Sequence, residues 1–528
     1  MTAVPTPMPT PMPTPYAAVR ETHTGVVILL GEHAYKTKKP VAFGFCDFST
    51  LALRAEACRR EVDLNRRLAP DVYLGVGTMP AAEGLTGAGE PVVLMRRMPA
   101  ERRLAALVQS GADVEDEIRQ VARLVASFHE RTPRQDADEH LAEVAAEGSR
   151  EALQARWTAN LDEMERFGGA VLDPTDLTAI GREAEAFLAG REPLLSDRVA
   201  EGRIVDGHGD LLADDIFCLP DGPGILDCLE FDDRLRYVDR IDDIACLAMD
   251  LERLGAPGLT ARLLGWYREY SNDPAPPSLV HHYLAYRAFV RAKVCCLRAE
   301  QGDPDAQLRE QAHALIGITR RHLGAGAVRL VLVGGLPGTG KTTLAGRIAD
   351  ELGHVLLSSD RIRKEIAGLN PLERAPATYR DGLYTPAHTA AVYAELLGRA
   401  ELLLGRGESV VLDARWSSAT ERAAAAKIAT RTHSQLTTLC CKVEAGVAAQ
   451  RMVGRSGPSD ADEAVAREMV ADADPWPEAA CIDTEAGAPE AARRAVDLIH
   501  PAGEGRPWFI APALARPRAG GHRIVQPA

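Results

Sequence analysis

The sequence predicts two successive folded units of different class: an α+β unit, then an α/β unit built on a parallel sheet. Three observations predict it. Strand-type runs, VVILLG and AYKTKKPVAFGF, open the first unit and VVLMRRMP ends its β-rich part at Pro99, whereas residues 101–200 are rich in Ala, Glu and Arg at helical periodicity. From residue 328 the pattern alternates instead, through VRLVLVG, KTTLAGRIADEL, HVLLSS, SVVLDA, ERAAAAKIATR and TTLCCKV. That order of strands and helices wraps a parallel sheet. Between the two patterns, GAGAV (324–328) carries the glycines that end a helix just before a new buried strand.

Length agrees, since 528 residues are too many for one core. The Pro-Thr-Pro-Met repeat at the start cannot bury apolar surface, so residues 1–22 are expected to form a disordered tail. The first unit is expected over 23–323 and the second over 328–500, with a Pro- and Gly-rich flexible tail over 501–528. Within the first unit, LALRAEACRREVDLNRRLA has apolar residues at helical spacing. HGDLLADDIFCL and GILDCLEF contain two short strand-like pieces, and helices return from about residue 240.

Charge narrows the partners. With 61 basic and 75 acidic residues the formal net charge is −14, which disfavours a broad footprint on nucleic acid or anionic lipid. The ten cysteines include two adjacent pairs but no CxxC and no zinc-type spacing, as expected for reduced thiols. No run approaches the ~20 apolar residues needed to span a bilayer, and the N-terminus has neither basic nor apolar leader character, so a cytoplasmic protein with no membrane partner is expected.

Gly335, Leu336, Pro337, Gly338, Thr339, Gly340, Lys341 and Thr342 match G-x-x-x-x-G-K-[ST] in full, after a buried strand and at a helix start. Glycines let such a loop curl so that its N–H groups surround phosphates, and the helix N-terminus that continues through Thr343 adds partial positive charge. Lys341 is expected to reach the β and γ phosphates of ATP, and Thr342 to ligate Mg²⁺. Asp413 ends the apolar run SVVLDA and is placed to orient the metal or a water; an ordinary strand-end acid is the alternative. Asp360, in SSDRIRKE, stands on the sheet rim where a carboxylate can accept a hydroxyl proton, or else caps the following helix. Arg451 and Arg455, four apart, can turn toward one phosphate or form a solvated face.

With PSDAD (458–462) and IDT (482–484), these motifs make residues 329 to about 485 resemble the small P-loop kinases of the gluconate kinase, polynucleotide kinase and zeta-toxin group. The resemblance implies phosphoryl transfer to a hydroxyl, with Asp360 as base and Arg451 and Arg455 as a lid.

A second phosphate chemistry lies upstream. His208, Asp210 and Asp215, followed by Asp227, have a spacing that resembles the catalytic loop and metal-binding Asp of aminoglycoside phosphotransferases and other protein-kinase-like folds. That resemblance implies Asp210 as base, Asp215 and Asp227 as Mg²⁺ ligands, and His208 as a brace for the loop. Of only eight lysines in the chain, Lys36, Lys38 and Lys39 cluster within four residues. Lys36 and Lys38 share a strand face, and Glu61 on the next helix could pair with one of them, as strand lysine and helix glutamate do in kinase-like folds; a solvated basic strand end is the alternative.

Read together, YKTKKPVAFGFCDFSTL, EVDLNRRLAPDVYLGV, HGDLLADDIF, LDCLEFDDRLRYVD and DDIACLAMDLE resemble the first half of a two-part bacterial family. That family joins an aminoglycoside-phosphotransferase-like domain to an ATP-binding P-loop domain. Two departures stand out: no G-x-G-x-x-G precedes the lysines, and Asp215 stands where these families carry Asn. A unit charge ~4 Å from a phosphate charge costs roughly 4 kcal/mol at an effective dielectric of 20, so Asp215 should oppose metal-free nucleotide while favouring Mg²⁺.

The favoured expectation is an ATP- and Mg²⁺-dependent kinase acting on hydroxylated small molecules. A polynucleotide 5′-hydroxyl kinase is one alternative, against which the 5% aromatic content argues mildly. The other is a regulatory protein whose first domain binds ATP without catalysing.

Overall fold

The computed structural model describes residues 17–21, 24–43, 46–80, 89–131, 138–169, 172–301, 306–370, 382–453 and 473–501. The chain begins with a sheet in which Ala17–Glu21, Gly25–Leu30, His33–Lys38, Glu90–Arg96 and Tyr73–Met79 lie side by side in that order, every pairing antiparallel. The strand Ala17–Glu21 corrects the expectation that residues 1–22 are all tail. Its side chains are mostly exposed, so it carries no hydrophobic pattern, and backbone pairing to the edge of Gly25–Leu30 makes it a strand.

Helix Leu51–Asn65 starts at Thr50, whose Oγ1 accepts from the Leu53 N–H at 3.2 Å. It packs beneath the sheet through Cys58 and Val62 against Tyr73, Val93 and Met95. The short segment Ala100–Arg102 then leads to a helical body. Glu115–Arg131, Arg150–Glu165, Pro174–Gly190, Arg240–Arg253, Pro257–Ser271, Pro277–Gln301 and Ala306–Gly326 share one large apolar core. Of two short antiparallel ribbons, Ile216–Leu219 with Gly222–Ile225 packs Phe217 toward the sheet and Ile216 toward this body, while Ile204–Asp206 with Tyr237–Asp239 packs in a small cluster of its own with Val144.

The second unit is a five-stranded parallel sheet in the order Val355–Ser358, Val410–Asp413, Arg329–Gly334, Gln435–Lys442, Ala480–Asp483. Strand Arg329–Gly334 is buried on both faces. Leu330 and Leu332 pack toward helices Pro386–Gly405 and Ala419–Arg431, while Val331 and Val333 pack toward Lys341–Leu352 and Ala488–Ile499. A near-continuous apolar run is what a strand covered on both faces requires.

Arg191, only 1% exposed, crosses between the units. Its Nη1 donates to Gly190 O at 2.7 Å and to Leu404 O and Thr432 O, at the ends of two helices of the second unit, at 2.9 and 2.8 Å. Helix C-termini carry partial negative charge, so they accept a guanidinium in place of a carboxylate. Burial pushes its pKa down to about 9. Ser278 Oγ donates to Gly407 O at 2.7 Å on the same seam. All ten cysteines are free thiols, and no described helix is long and apolar enough to cross a membrane.

Candidate active sites

The sheet of the first unit holds a buried charge cluster. Glu61, with no exposed surface, receives Lys36 Nζ at 2.9 Å and Lys38 Nζ at 2.6 Å from the facing strand. Lys36 reaches on to Asp227 Oδ1 at 2.5 Å, and Lys38 pairs with Glu230. Burial alone would raise the Glu61 carboxyl; the two ammonium groups outweigh it and hold the group below its ordinary value. Asp227, whose side chain is half exposed at the rim of the cluster, is likewise held low, its partial desolvation being outweighed by the charge and hydrogen bond of Lys36. Its backbone adopts φ +65°, and its N–H donates to the Tyr73 hydroxyl at 3.1 Å, so the strained turn is tied to the sheet.

The HGD loop is braced from below. Asp243, at the start of helix Arg240–Arg253, accepts from the His208 and Gly209 N–H groups at 2.7 and 2.9 Å and from His129 Nε2 at 3.0 Å. Burial raises the Asp243 carboxyl, but the His129 bond and charge dominate and hold it well below the carboxylate range. Arg287 grips Asp242 with two bonds, 2.6 and 2.9 Å, and donates to Gly209 O at 2.6 Å. His208 is buried, which lowers its pKa, and its Nε2 bonds Leu226 O at 3.0 Å, linking the loop to the segment carrying Asp227. Asp210 projects from this scaffold with its side chain 41% exposed, touched by Arg291 Nη1 at 3.4 Å.

Asp215 ends a short turn opposite Asp227, whose neighbour Leu226 donates its N–H to Asp215 O at 2.9 Å. Burial, followed by the charges of Asp227 and Asp210, pushes the Asp215 carboxyl well up. The site thus accumulates negative charge that a cation would relieve. Among the described residues no three His, Cys, Asp or Glu side chains converge enough to hold a metal by themselves. One or two carboxylates completed by phosphate oxygens is the usual Mg²⁺ arrangement, and the hard-oxygen donors here suit it.

In the second unit the loop Gly335–Gly340 leads into helix Lys341–Leu352. Glycine is required sterically: at Gly338, φ +80°, a Cβ would lie 2.5 Å from Ala448 O. Leu336 accepts from Thr339 Oγ1 at 2.8 Å, while Pro337 is buried and Thr343 exposed. Asp413 is 4% exposed, and its Oδ1 is buried without a hydrogen-bond partner. Burial raises its carboxyl, opposed by Lys341, reinforced by Asp360 and moderated by the Thr342 and Ser358 hydroxyls. The Asp413 carboxyl thus feels the charges of Lys341 and Asp360 and the Thr342 hydroxyl, and its orphaned oxygen fits a cation beside the loop. Ser358, not Asp360, is the N-cap of helix Ser359–Ile366; Asp360 lies in its first turn, partly exposed.

Arg451 donates to Thr484 Oγ1 and O at 3.1 and 3.0 Å, and Thr484 Oγ1 donates to Thr339 O at 2.7 Å. Arg451, one of the two arginines expected to form the lid, is linked to the loop through Thr484. Arg455 and PSDAD lie outside the described residues.

Glu230, Asp243, Arg287, Arg291 and Thr484 were not singled out from the sequence. Asp242–Asp243 and Thr484 did lie inside the quoted stretches DDIACLAMDLE and IDT, but nothing local distinguishes a bracing acid from a surface one.

The Phosphotransferase enzyme family matches residues 46–279, and the AAA domain family matches residues 330–476. An uncharacterized protein of Mycobacterium tuberculosis is 44% identical over 467 residues, spanning 88% of this chain and 92% of its own length. The chain belongs to this two-part bacterial family, in which an aminoglycoside-phosphotransferase-like domain is fused to a P-loop kinase domain. Members thus carry a phosphotransferase-type domain and a nucleotide-binding one in a single chain. Solved structures similar to parts of the chain include a sugar kinase from Janibacter sp., 21% identical over 34% of this chain and 98% of that one with a TM-score of 0.27. A choline/ethanolamine kinase family protein from Mesorhizobium loti is 13% identical over 60% of this chain and 95% of that one, with a TM-score of 0.37.

Proposed function

We propose that the protein is an ATP-dependent kinase that transfers the γ-phosphate to a hydroxyl of a small molecule, at two centres. The observation that carries this reading is Lys36 bridging Glu61 and Asp227 beside a projecting Asp210. In the first centre Lys36 would hold nucleotide phosphates, and Asp210 would take the proton as the acceptor oxygen bonds to γ-phosphorus and the β–γ bridging bond breaks toward ADP. Asp360 would play the same part in the second centre, with Lys341 and the loop N–H groups on the phosphates. Mg²⁺ would be held by Asp215 and Asp227 in one centre and by Thr342 and Asp413 in the other, supplying charge neutralisation on the phosphates.

Transfer of labelled γ-phosphate by wild type, Lys341→Ala and Asp210→Ala, with a pool of hydroxylated metabolites and aminoglycosides, tests this. Each variant losing a different labelled product supports two centres; no product in any of them refutes the proposal.

A second reading draws support from the first unit. No G-x-G-x-x-G runs through strands Ala17–Glu21 and Gly25–Leu30 ahead of the lysines, and Asp215 departs from the kinase pattern. The first unit would then bind ATP and control the second through the Arg191 seam. Sensitivity of transfer to Lys341→Ala alone would favour it. A first domain that begins with strand Ala17–Glu21 and runs to residue 323, a second over 328–500, and a cytoplasmic location belong to this proposal as well.

A further inference from the structure

The phosphotransfer reading leaves the acceptor of the first centre open, and the surroundings of Asp210 bear on it. Arg291, from helix Pro277–Gln301, places Nη1 3.4 Å from Asp210 Oδ2, a long contact that leaves most of the guanidinium uncommitted. Its neighbour one turn back, Arg287, is already neutralised by Asp242. Two turns onward, Arg298 shares the face of Arg291, is exposed, and has no ion-pair partner among the described residues. Arg253 arrives from helix Arg240–Arg253 and pairs with the buried Asp250. The Cys295 thiol, one turn on from Arg291 in the same helix, is pushed up by burial against the opposing charges of Arg291, Arg298 and Arg253.

We infer that the first centre takes an anionic hydroxylated acceptor, one bearing a carboxylate or phosphate group, with its hydroxyl at Asp210 and its anion held by Arg291 and Arg298. Guanidinium groups match carboxylate and phosphate in planar, two-pronged geometry. A polycationic aminoglycoside or a quaternary amino alcohol would place positive charge against Arg291, so both are disfavoured.

The test uses the full-length Lys341→Ala protein, which silences the second centre, with labelled ATP and single acceptors: gluconate, glycerate and glucose 6-phosphate; glycerol and glucose; kanamycin and choline. The expected result is Asp210-dependent product from at least one anionic acceptor and none from the cationic ones. Arg291→Gln and the surface variant Arg298→Gln should raise KM for the anionic acceptor, roughly tenfold to a hundredfold for Arg291→Gln, by more than they change kcat. The KM should also rise with salt. Asp210-dependent product from kanamycin or choline, undiminished by Arg291→Gln, overturns the anionic assignment and leaves the kinase reading standing. Absence of Asp210-dependent product from every acceptor overturns the kinase reading of this centre and the inference with it.

Discussion

Glu61→Gln removes the one carboxylate that holds both strand lysines. Their ammonium nitrogens approach it to 2.9 and 2.6 Å in a site where Glu61 has no exposed surface and the Lys38 side chain is 2% exposed. With a neutral amide there, Lys36 keeps Asp227 and Lys38 keeps Glu230, but the two lysines lose the carboxylate that stood between their charges. Breaking a buried pair by removing one partner costs about 3–5 kcal/mol, a large share of a domain's ~5–15 kcal/mol. Hydrogen exchange of the amides in helix Leu51–Asn65 should therefore accelerate by about two to four decades. The pH dependence has a definite sign. Because the folded carboxyl lies below its unfolded value of about 4.3, the stabilisation is complete above that pH and fades as pH falls through the folded value. The variant should lack this acid limb. Protection within tenfold of wild type at pH 7 would refute the reasoning.

Asp215→Asn should lower nucleotide affinity with Mg²⁺, and should raise it without metal only at a pH above the raised carboxyl value, where Asp215 is charged, as read by titration calorimetry across pH; equal affinities with and without the substitution under all these conditions would count against Asp215 as a metal ligand. Asp413→Asn should raise the Tm of the nucleotide-free protein by roughly 2–4 °C at pH 7.5 and abolish the further stabilisation by Mg²⁺ with ATP. A raised folded carboxyl pKa makes the wild-type protein lose stability as pH rises from the unfolded value through the folded one, and the amide removes that loss. Gly338→Ala adds a Cβ 2.5 Å from Ala448 O at φ +80°, a backbone cost of about 1–2 kcal/mol before the clash, and should abolish ATP binding measured with a fluorescent analogue. Arg191→Ala removes the donor to two helix ends and should separate the unfolding of the two units into distinct calorimetric transitions.

Much of this protein is legible locally. The parallel sheet shows in apolar runs such as VRLVLVG because a strand covered on both faces needs side chains of one kind throughout. The nucleotide loop shows because its curled backbone demands glycine at Gly335, Gly338 and Gly340, all at positive φ. The spacing of Asp210, Asp215 and Asp227 marks a loop and a ribbon whose lengths bring acids together, and the rarity of lysine marks the strand facing Glu61. Each of these depends on rules that act within a few residues along the chain.

What only the tertiary structure decided acts through space. Glu230 beside Lys38, Asp243 beneath the HGD loop, Arg291 at Asp210 and Arg191 between the units have partners roughly 35 to 240 residues away. An arginine in a chain rich in arginine has no local signature until packing excludes water from it and leaves one acceptor within reach. The strand Ala17–Glu21 likewise exists only because an edge is there to pair with. Periodicity and glycine placement set the two frameworks; the through-space pairing of charges decided which side chains stand at each centre and how they are braced.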